Sequence, residues 1–329
     1  ERIGNISWPK AIIQLHKSKN DDLNSKHYRR LAYDEILSNM LVLSHARKRI
    51  KKFKKKNKIF DNSLSKKLID NFKLTLTNDQ KKCMNEINED LKSNYKMFRI
   101  LQGDVGTGKT IVSFIAAANV VRSNHQAVMM APTEILAKQH FNLAKEIFRS
   151  TNINIDLLIG KTKAVDKKKI LENLINGNIN FVIGTHALFQ KNITFKNLGL
   201  VVIDEQHKFG VKQRIDLSSK GGKDCDLLLM SATPIPRTLM MASYGDMDVS
   251  RLVEKPTNRK NIITLSKPEE KINEIISFIR NQIKNGNQVF WVCPLIDESK
   301  ILNYSAALNK YKFLSKKFSN KVGLIHGSL

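Results

Sequence analysis

The run Gly103-Asp-Val-Gly-Thr-Gly108-Lys109-Thr110 constrains this chain more than any other feature. It follows the apolar stretch Phe98 to Leu101 and precedes a stretch from Ile111 to Val121 rich in Val, Ile and Ala, so it lies between a strand and a helix. In that setting glycines let successive backbone N–H groups curl around phosphate oxygens, and the start of the helix adds favourable partial charge. Gly103, Asp104, Val105, Gly106, Thr107 and Gly108 are therefore expected to cradle a nucleotide's phosphates. Lys109 is expected at the β and γ phosphates, and Thr110 at Mg2+.

Around this loop, residues 98 to 230 alternate short apolar runs with helical stretches. Ala127 to Ala131, Ile155 to Ile159, Phe181 to Gly184, Leu200 to Ile203 and Leu227 to Met230 are nearly continuous in apolar residues. Strands buried on both faces have this composition, and the intervening helices supply parallel crossovers. The expected fold is α/β, a doubly wound parallel sheet. Ligands bind such sheets at the carboxyl ends of the strands, where Leu200 to Ile203 delivers Asp204-Glu205-Gln206-His207. Asp204 is the candidate Mg2+ holder, and Glu205 the candidate for polarising an attacking water. Ser231-Ala-Thr233-Pro follows the run Leu227 to Met230 in the same way.

Length and composition narrow the reading. At 329 residues the chain exceeds the usual domain of about 100 to 200 residues, so two or more units are expected. Hydrophobic residues make up 41 % and aromatic residues 7 %, and no apolar run approaches the ~20 residues of a membrane span. Cys83, Cys225 and Cys293 lack the spacing of a zinc site or disulfide framework, which fits a reducing, cytoplasmic setting. The chain begins at Glu1, with no secretory signal visible, and reads as a piece of a longer protein. A net charge of +26 suits a polyanionic partner such as nucleic acid, although lysines spread over the whole surface would give the same total. The run Lys51 to Lys58 has two readings, a frayed and solvated helix end or a phosphate contact.

Taken together, the phosphate loop, the Asp-Glu-Gln-His run and Ser-Ala-Thr-Pro-Ile-Pro-Arg-Thr238 point to a superfamily two helicase or translocase. The wording resembles the RecG family: LQGDVGTGKT at 101 to 110, APTEILAKQH at 131 to 140, GTHALFQ at 184 to 190, IDEQHKFGVKQR at 203 to 214, SATPIPRTLMMASYGDMD at 231 to 248 and VFWVCPLIDES at 289 to 299. Gln206 and Glu134 separate it from transcription-repair coupling translocases. The resemblance implies ATP and Mg2+ as ligands, with Lys109, Asp204 and Glu205 in hydrolysis and Gln80 at the adenine. It also implies that Pro132, Thr133, Thr185 and His186 touch DNA backbone, and that Gln206, His207, Ser231 and Thr233 couple nucleotide state to DNA grip. Thr133 or Thr185 could instead cap a helix, and His186 could be an ordinary surface histidine. Phe72 stands two positions further from Gln80 than the family's usual aromatic, and the link Glu254 to Lys260 departs from the family's wording.

The resemblance further implies a helical connector over 1–70, a first RecA-like domain over 71–252 and the N-terminal part of a second over 253–329. Strands are expected at Ile262 to Leu265, Gln288 to Val292 and Val322 to Ile325, with a helix from Glu269 to Lys284. The expected activity is ATP-driven translocation on branched duplex DNA, by a monomer in a bacterial-type cytoplasm at the nucleoid, with no membrane partner. The alternatives are a transcription-repair coupling translocase and a catalytically silent basic DNA-binding fragment. The family's later motifs are not reached by Leu329, so this chain alone is expected to bind ATP yet hydrolyse it slowly.

Overall fold

The structure, a computed structural model, describes residues 6–17, 24–50, 54–72, 75–190, 193–205, 221–232, 247–256, 262–293, 307–319 and 321–326. The chain divides into two compact units, Glu1–Arg259 and Lys260–Leu329.

The first unit opens with helices α1 (Trp8–Lys17), α2 (Lys26–Ile50), α3 (Ser63–Phe72) and α4 (Asn78–Lys92). Then strands and helices alternate: β1 (Phe98–Gly103), α5 (Lys109–Arg122), β2 (Gln126–Met130), α6 (Glu134–Ile147), β3 (Ile155–Leu158), α7 (Ala164–Asn176), β4 (Phe181–Gly184), β5 (Leu198–Ile203), β6 (Asp226–Ser231) and β7 (Asp248–Leu252). The seven strands form one sheet in the order β3-β4-β2-β5-β6-β1-β7, and every pair is parallel. This is the doubly wound parallel sheet expected from the apolar runs, and the RecA-like arrangement that the resemblance implies.

Both faces of the sheet are covered, and alternate strand residues divide between them as strand geometry requires. Leu101, Ala127, Met129, Phe181, Ile183, Leu200, Val202 and Leu228 join a core with α3, α4, α5 and α6. Ile100, Val128, Val182, Val201, Ile203, Leu227 and Leu229 face the other way, toward Ile170 and Leu174 of α7. Phe114, Phe148 and Phe181 meet with ring centroids 5.8 to 6.0 Å apart inside the first core. Residues Ile111 to Val120 of α5 are all buried, so the helix that leaves the glycine-rich loop runs through the interior and holds the loop rigidly. Each large apolar side chain so enclosed is worth about 1.5–3 kcal/mol.

Local sequence sets the helix ends. Thr77 and Gln80 form a reciprocal capping box at α4. Thr133 caps α6 by accepting from the Leu136 N–H at 3.3 Å, and Gly177 closes α7 at φ +79°.

In the described part of the lysine run, 54–58, two lysines depart from both sequence readings. Lys54 makes an isolated antiparallel bridge to Tyr95, and Lys55 and Lys58 turn inward, 5 % and 1 % exposed. Their ammonium groups share the buried Asp226 carboxylate at 2.7 Å each, and Asp226 also accepts from the Met97 N–H at 2.7 Å. Lys55 and Lys58 are thus fixed at the amino end of β6 and are neither a solvated helix end nor a phosphate contact, while residues 51–53 of the run lie outside the described residues. Lys54 and Lys56 of the same run are exposed.

In the second unit a short 3-10 turn, Glu269–Lys271, leads into α8 (Ile272–Lys284), and α9 (Ala307–Phe318) follows. The strands expected over 262–265, 288–292 and 322–325 do not form. Among the described residues these segments have no ladder partner, and Ile263, Phe290, Val292 and Ile325 are more than four-fifths exposed. Apolar β-formers become strands only when another strand takes their backbone hydrogen bonds. Segments 289–293 and 321–326 border, with α8 and α9, an apolar cavity of about 580 Å³.

Candidate nucleotide and nucleic-acid site

Because all strands run in one direction, their carboxyl ends lie along one edge of the sheet, and the sheet order dictates what stands beside what. From one side to the other the edge carries Ile159 to Lys163 after β3, Thr185 and His186 after β4, Pro132 and Thr133 after β2, Asp204 and Glu205 after β5, Ser231 at the end of β6, and the glycine-rich loop after β1. At about 4.8 Å per strand, β3 and β1 are roughly 24 Å apart.

The loop has the backbone its sequence demands. Gly106 and Gly108 have φ of +81° and +86°, the left-handed region that favours glycine. A side chain on Gly108 would also run into the Gln80 amide nitrogen. Thr107 is buried and tightens the loop through a 2.8 Å hydrogen bond from its hydroxyl to the Asp104 carbonyl. Asp104 and Val105 are exposed, and Gly103 is buried beside Leu252 of β7. Lys109 is half-buried, and its ammonium donates to the Gly103 and Asp104 carbonyls at 2.6 and 3.1 Å. Burial lowers the Lys109 pKa, while the charges of Asp204, Glu205 and Asp104 act in the opposite direction. Three carboxylates around one ammonium leave a net negative site that suits a divalent cation. Among the described residues no cluster of three or more His, Cys, Asp or Glu side chains could hold a metal alone. Mg2+ usually takes one or two carboxylates together with water and phosphate oxygens. Thr110 is half-buried at the first turn of α5.

Asp204 is 7 % exposed and held from three directions. Its N–H donates to the Met130 carbonyl at 2.8 Å, one carboxylate oxygen accepts from the Glu205 N–H at 3.0 Å, and the other meets His140 Nε2 at 2.8 Å. Glu205 has φ +48°, a conformation that non-glycine residues seldom adopt and that clusters at functional sites.

Gln80 is 2 % exposed, and both ends of its amide are engaged. Its oxygen accepts from the Thr77 N–H at 3.0 Å, and its nitrogen donates to the Thr107 carbonyl at 2.8 Å. It therefore ties the start of α4 to the loop. Phe72 ends α3 packed against the core. Thr133 and His186 are exposed on the far half of the edge, and Pro132 is half-buried beside them. Thr133 also caps α6. The Thr185 hydroxyl is buried, has no hydrogen-bond partner among the described residues and makes no cap. Ser231 is buried. Gln206, His207 and Thr233 lie outside the described residues.

Three features escape the sequence reading. His140 occupies the buried stripe of α6 with Ala137, Ala144 and Ile147. A histidine in an apolar stripe needs a buried partner, and that was the available signal. Glu134 accepts from the Lys161 N–H at 3.2 Å, joining the loops after β2 and β3. Glu254 accepts from the N–H groups of Asn78 and Asp79, while Asp79 accepts from those of Val253 and Glu254. This reciprocal clamp ties the start of α4 to the residues after β7.

The model of the family described as DEAD/DEAH box helicase matches residues 77–242, half of the chain. The chain belongs to that family. Within it, the sequence is 44 % identical to the ATP-dependent DNA helicase RecG of Thermotoga maritima over 326 residues, covering 98 % of this chain and 40 % of that protein. RecG of Aquifex aeolicus is 41 % identical over 327 residues, 97 % of this chain and 41 % of that protein. A solved structure of RecG bound to a three-way DNA junction superposes with a TM-score of 0.76 at 42 % identity, over 89 % of this chain and 38 % of that one. The chain thus spans about two fifths of the length of the RecG proteins it matches. Like other members of that family it carries a glycine-rich loop, here after β1, and an Asp-Glu pair, here after β5, with β6 between the two strands. No helix among the described residues is long and apolar enough to cross a membrane.

Proposed function

We propose that this chain is the ATP-binding part of a motor that translocates on branched duplex DNA, as its likeness to RecG suggests. The observation that carries the reading is the order of groups along the carboxyl edge. The phosphate loop and the Asp204-Glu205 pair occupy one half, and Thr133, His186, Lys161 and Lys163 occupy the other. A nucleotide and a DNA backbone could then lie on one rigid sheet, with Asp204 and Glu205 between them. The strained Glu205 and the complete cradle argue against a silent DNA-binding piece.

In this reading the N–H groups of the loop and Lys109 hold the β and γ phosphates, Lys109 leaving its carbonyl partners to do so. Gln80 keeps one amide hydrogen and one lone pair for an adenine edge. Thr110 and Asp204 would hold Mg2+, which supplies charge neutralisation at the phosphates when bound. Glu205, beside Asp204, accepts the proton of the attacking water. Pro132, Thr133, His186 and the lysines after β3 meet DNA phosphates, with Thr185 buried at the start of the His186 loop. Gln206, His207, Ser231 and Thr233 link the two halves. We assign residues 1–70 to the helical connector, 71–252 to the first motor domain and 253–329 to part of a second. The protein acts as a monomer in the cytoplasm.

The test is coupling. DNA affinity of this chain is measured with a labelled three-way junction and with linear duplex, with and without a non-hydrolysable ATP analogue. Affinity that changes severalfold when the analogue binds supports the reading. Absence of DNA binding, or affinity indifferent to bound nucleotide, contradicts it.

A further inference from the structure

We propose that His140 is a positioning residue for Asp204, aiming the carboxylate at the metal. The inference rests on the nucleotide reading of the site and extends it to a side chain on a different element. Asp204 leaves β5 with both carboxylate oxygens engaged, one by its neighbour's backbone N–H and the other by His140 Nε2 at 2.8 Å. A carboxylate oxygen only accepts, so the ring hydrogen sits on Nε2. His140 and Asp204 are 9 % and 7 % exposed, so water offers little substitute for the hydrogen bond.

The backbone places His140 firmly. It stands in the second turn of α6, which Thr133 caps and whose buried stripe of Ala137, Ala144 and Ile147 packs on the sheet. Small alanines on either side let the helix lie close enough for the imidazole to reach across to the end of β5. Groups that hydrogen-bond a metal's carboxylate fix its orientation, and losing one costs about 10- to 100-fold in metal affinity or activity. The Glu205 N–H remains when His140 is replaced, so Asp204 stays near its place but loses its aim.

An ordinary buried histidine would show only in stability, whereas a positioning residue shows in the metal. The experiment is a titration of Mg2+ at fixed fluorescent ATP analogue, with metal-free nucleotide affinity and thermal melting measured on the same preparations. The proteins are the unaltered chain, His140→Met, His140→Asn and His140→Gln. Gln carries a donor at the reach of Nε2, and Asn carries one too short to meet Asp204.

The proposal expects His140→Met and His140→Asn to need about 10- to 100-fold more Mg2+ at unchanged metal-free affinity. His140→Gln should come back toward the unaltered chain. If Met destabilises the fold, the Asn and Gln pair decides alone, since both are polar and differ in reach. Equal Mg2+ dependence for Asn, Gln and the unaltered chain overturns the proposal. Failure of the unaltered chain to bind nucleotide overturns the site reading itself, and is recognisable because it appears without any substitution.

Discussion

The ammonium of Lys58 lies 2.7 Å from a carboxylate oxygen of Asp226, both side chains out of solvent, at the amino end of the strand whose other end is Ser231. Lys55 reaches the same carboxylate and also donates to the Asp90 carbonyl at 2.9 Å. Burial lowers the Lys55 pKa and the nearby Lys58 adds to the effect, while Asp226 opposes it. Asp226 is the carboxylate that accepts from both ammonium groups, and it offsets part of the cost of burying them.

Asp226→Leu should therefore destabilise the first unit by about 3–5 kcal/mol, because it strands two buried charges. Replacing all three groups, with Lys55→Met and Lys58→Met added, should recover most of that loss. Urea unfolding of the single and triple variants checks both. A single variant within about 1 kcal/mol of the unaltered chain would contradict the account.

What the sequence makes legible here is chemistry written in contiguous residues. Gly103 to Thr110 and Asp204-Glu205 can be read directly, since loop and strand end lie next to each other in the chain. The central strands can be read because burial on both faces makes them uninterrupted apolar runs. Strand β7, Asp-Val-Ser-Arg-Leu, could not be, since it lies at the sheet's edge with only two of its five residues buried. Lys58 and His140 were illegible for another reason. Their partners Asp226 and Asp204 are 168 and 64 positions away, and only the fold brings them together. The second unit's expected strands failed because composition describes what a strand contains and not what it pairs with.

Gly108→Ala should lose about 1–2 kcal/mol and most nucleotide affinity. Its φ of +86° disfavours a side chain, and the Gln80 amide fills the space that side chain would need. Melting and nucleotide titration of the variant test this. Wild-type values in both would mean the loop tolerates a Cβ and is not a rigid cradle.

The cysteines should differ in reactivity at pH 8. Burial pushes the thiol of Cys83 up to about 11 and that of Cys225 to about 12, so roughly 0.1 % and 0.01 % are thiolate there. Both stay neutral until the pH nears those values, so alkylation of the folded chain at pH 8 should reach Cys293, which is only half-buried, first. Mass spectrometry after timed iodoacetamide treatment reads the order, and denaturation should equalise the three. Cys225 modified as fast as Cys293 would contradict its burial.

DNA binding should be indifferent to sequence and steep in salt, with each neutralised phosphate adding about −0.9 to the log–log slope. Lys161→Ala should lower the slope by about one contact and weaken unrelated sequences alike. Strong sequence preference with a flat salt dependence would remove the DNA half of the site.

The most direct test of the central claim is the affinity of this chain for a fluorescent ATP analogue with Mg2+, before and after Lys109→Ala. Lys109 is half-buried, its ammonium is held by two loop carbonyls, and its pKa is lowered mainly by burial, so its removal should leave melting nearly unchanged. Truncating one partner of a desolvated charge pair costs about 2–5 kcal/mol, so affinity should fall at least about thirtyfold. Equal affinity in the two proteins, or a loss accompanied by collapse of the melting transition, would mean that the loop between β1 and α5 does not hold the phosphates.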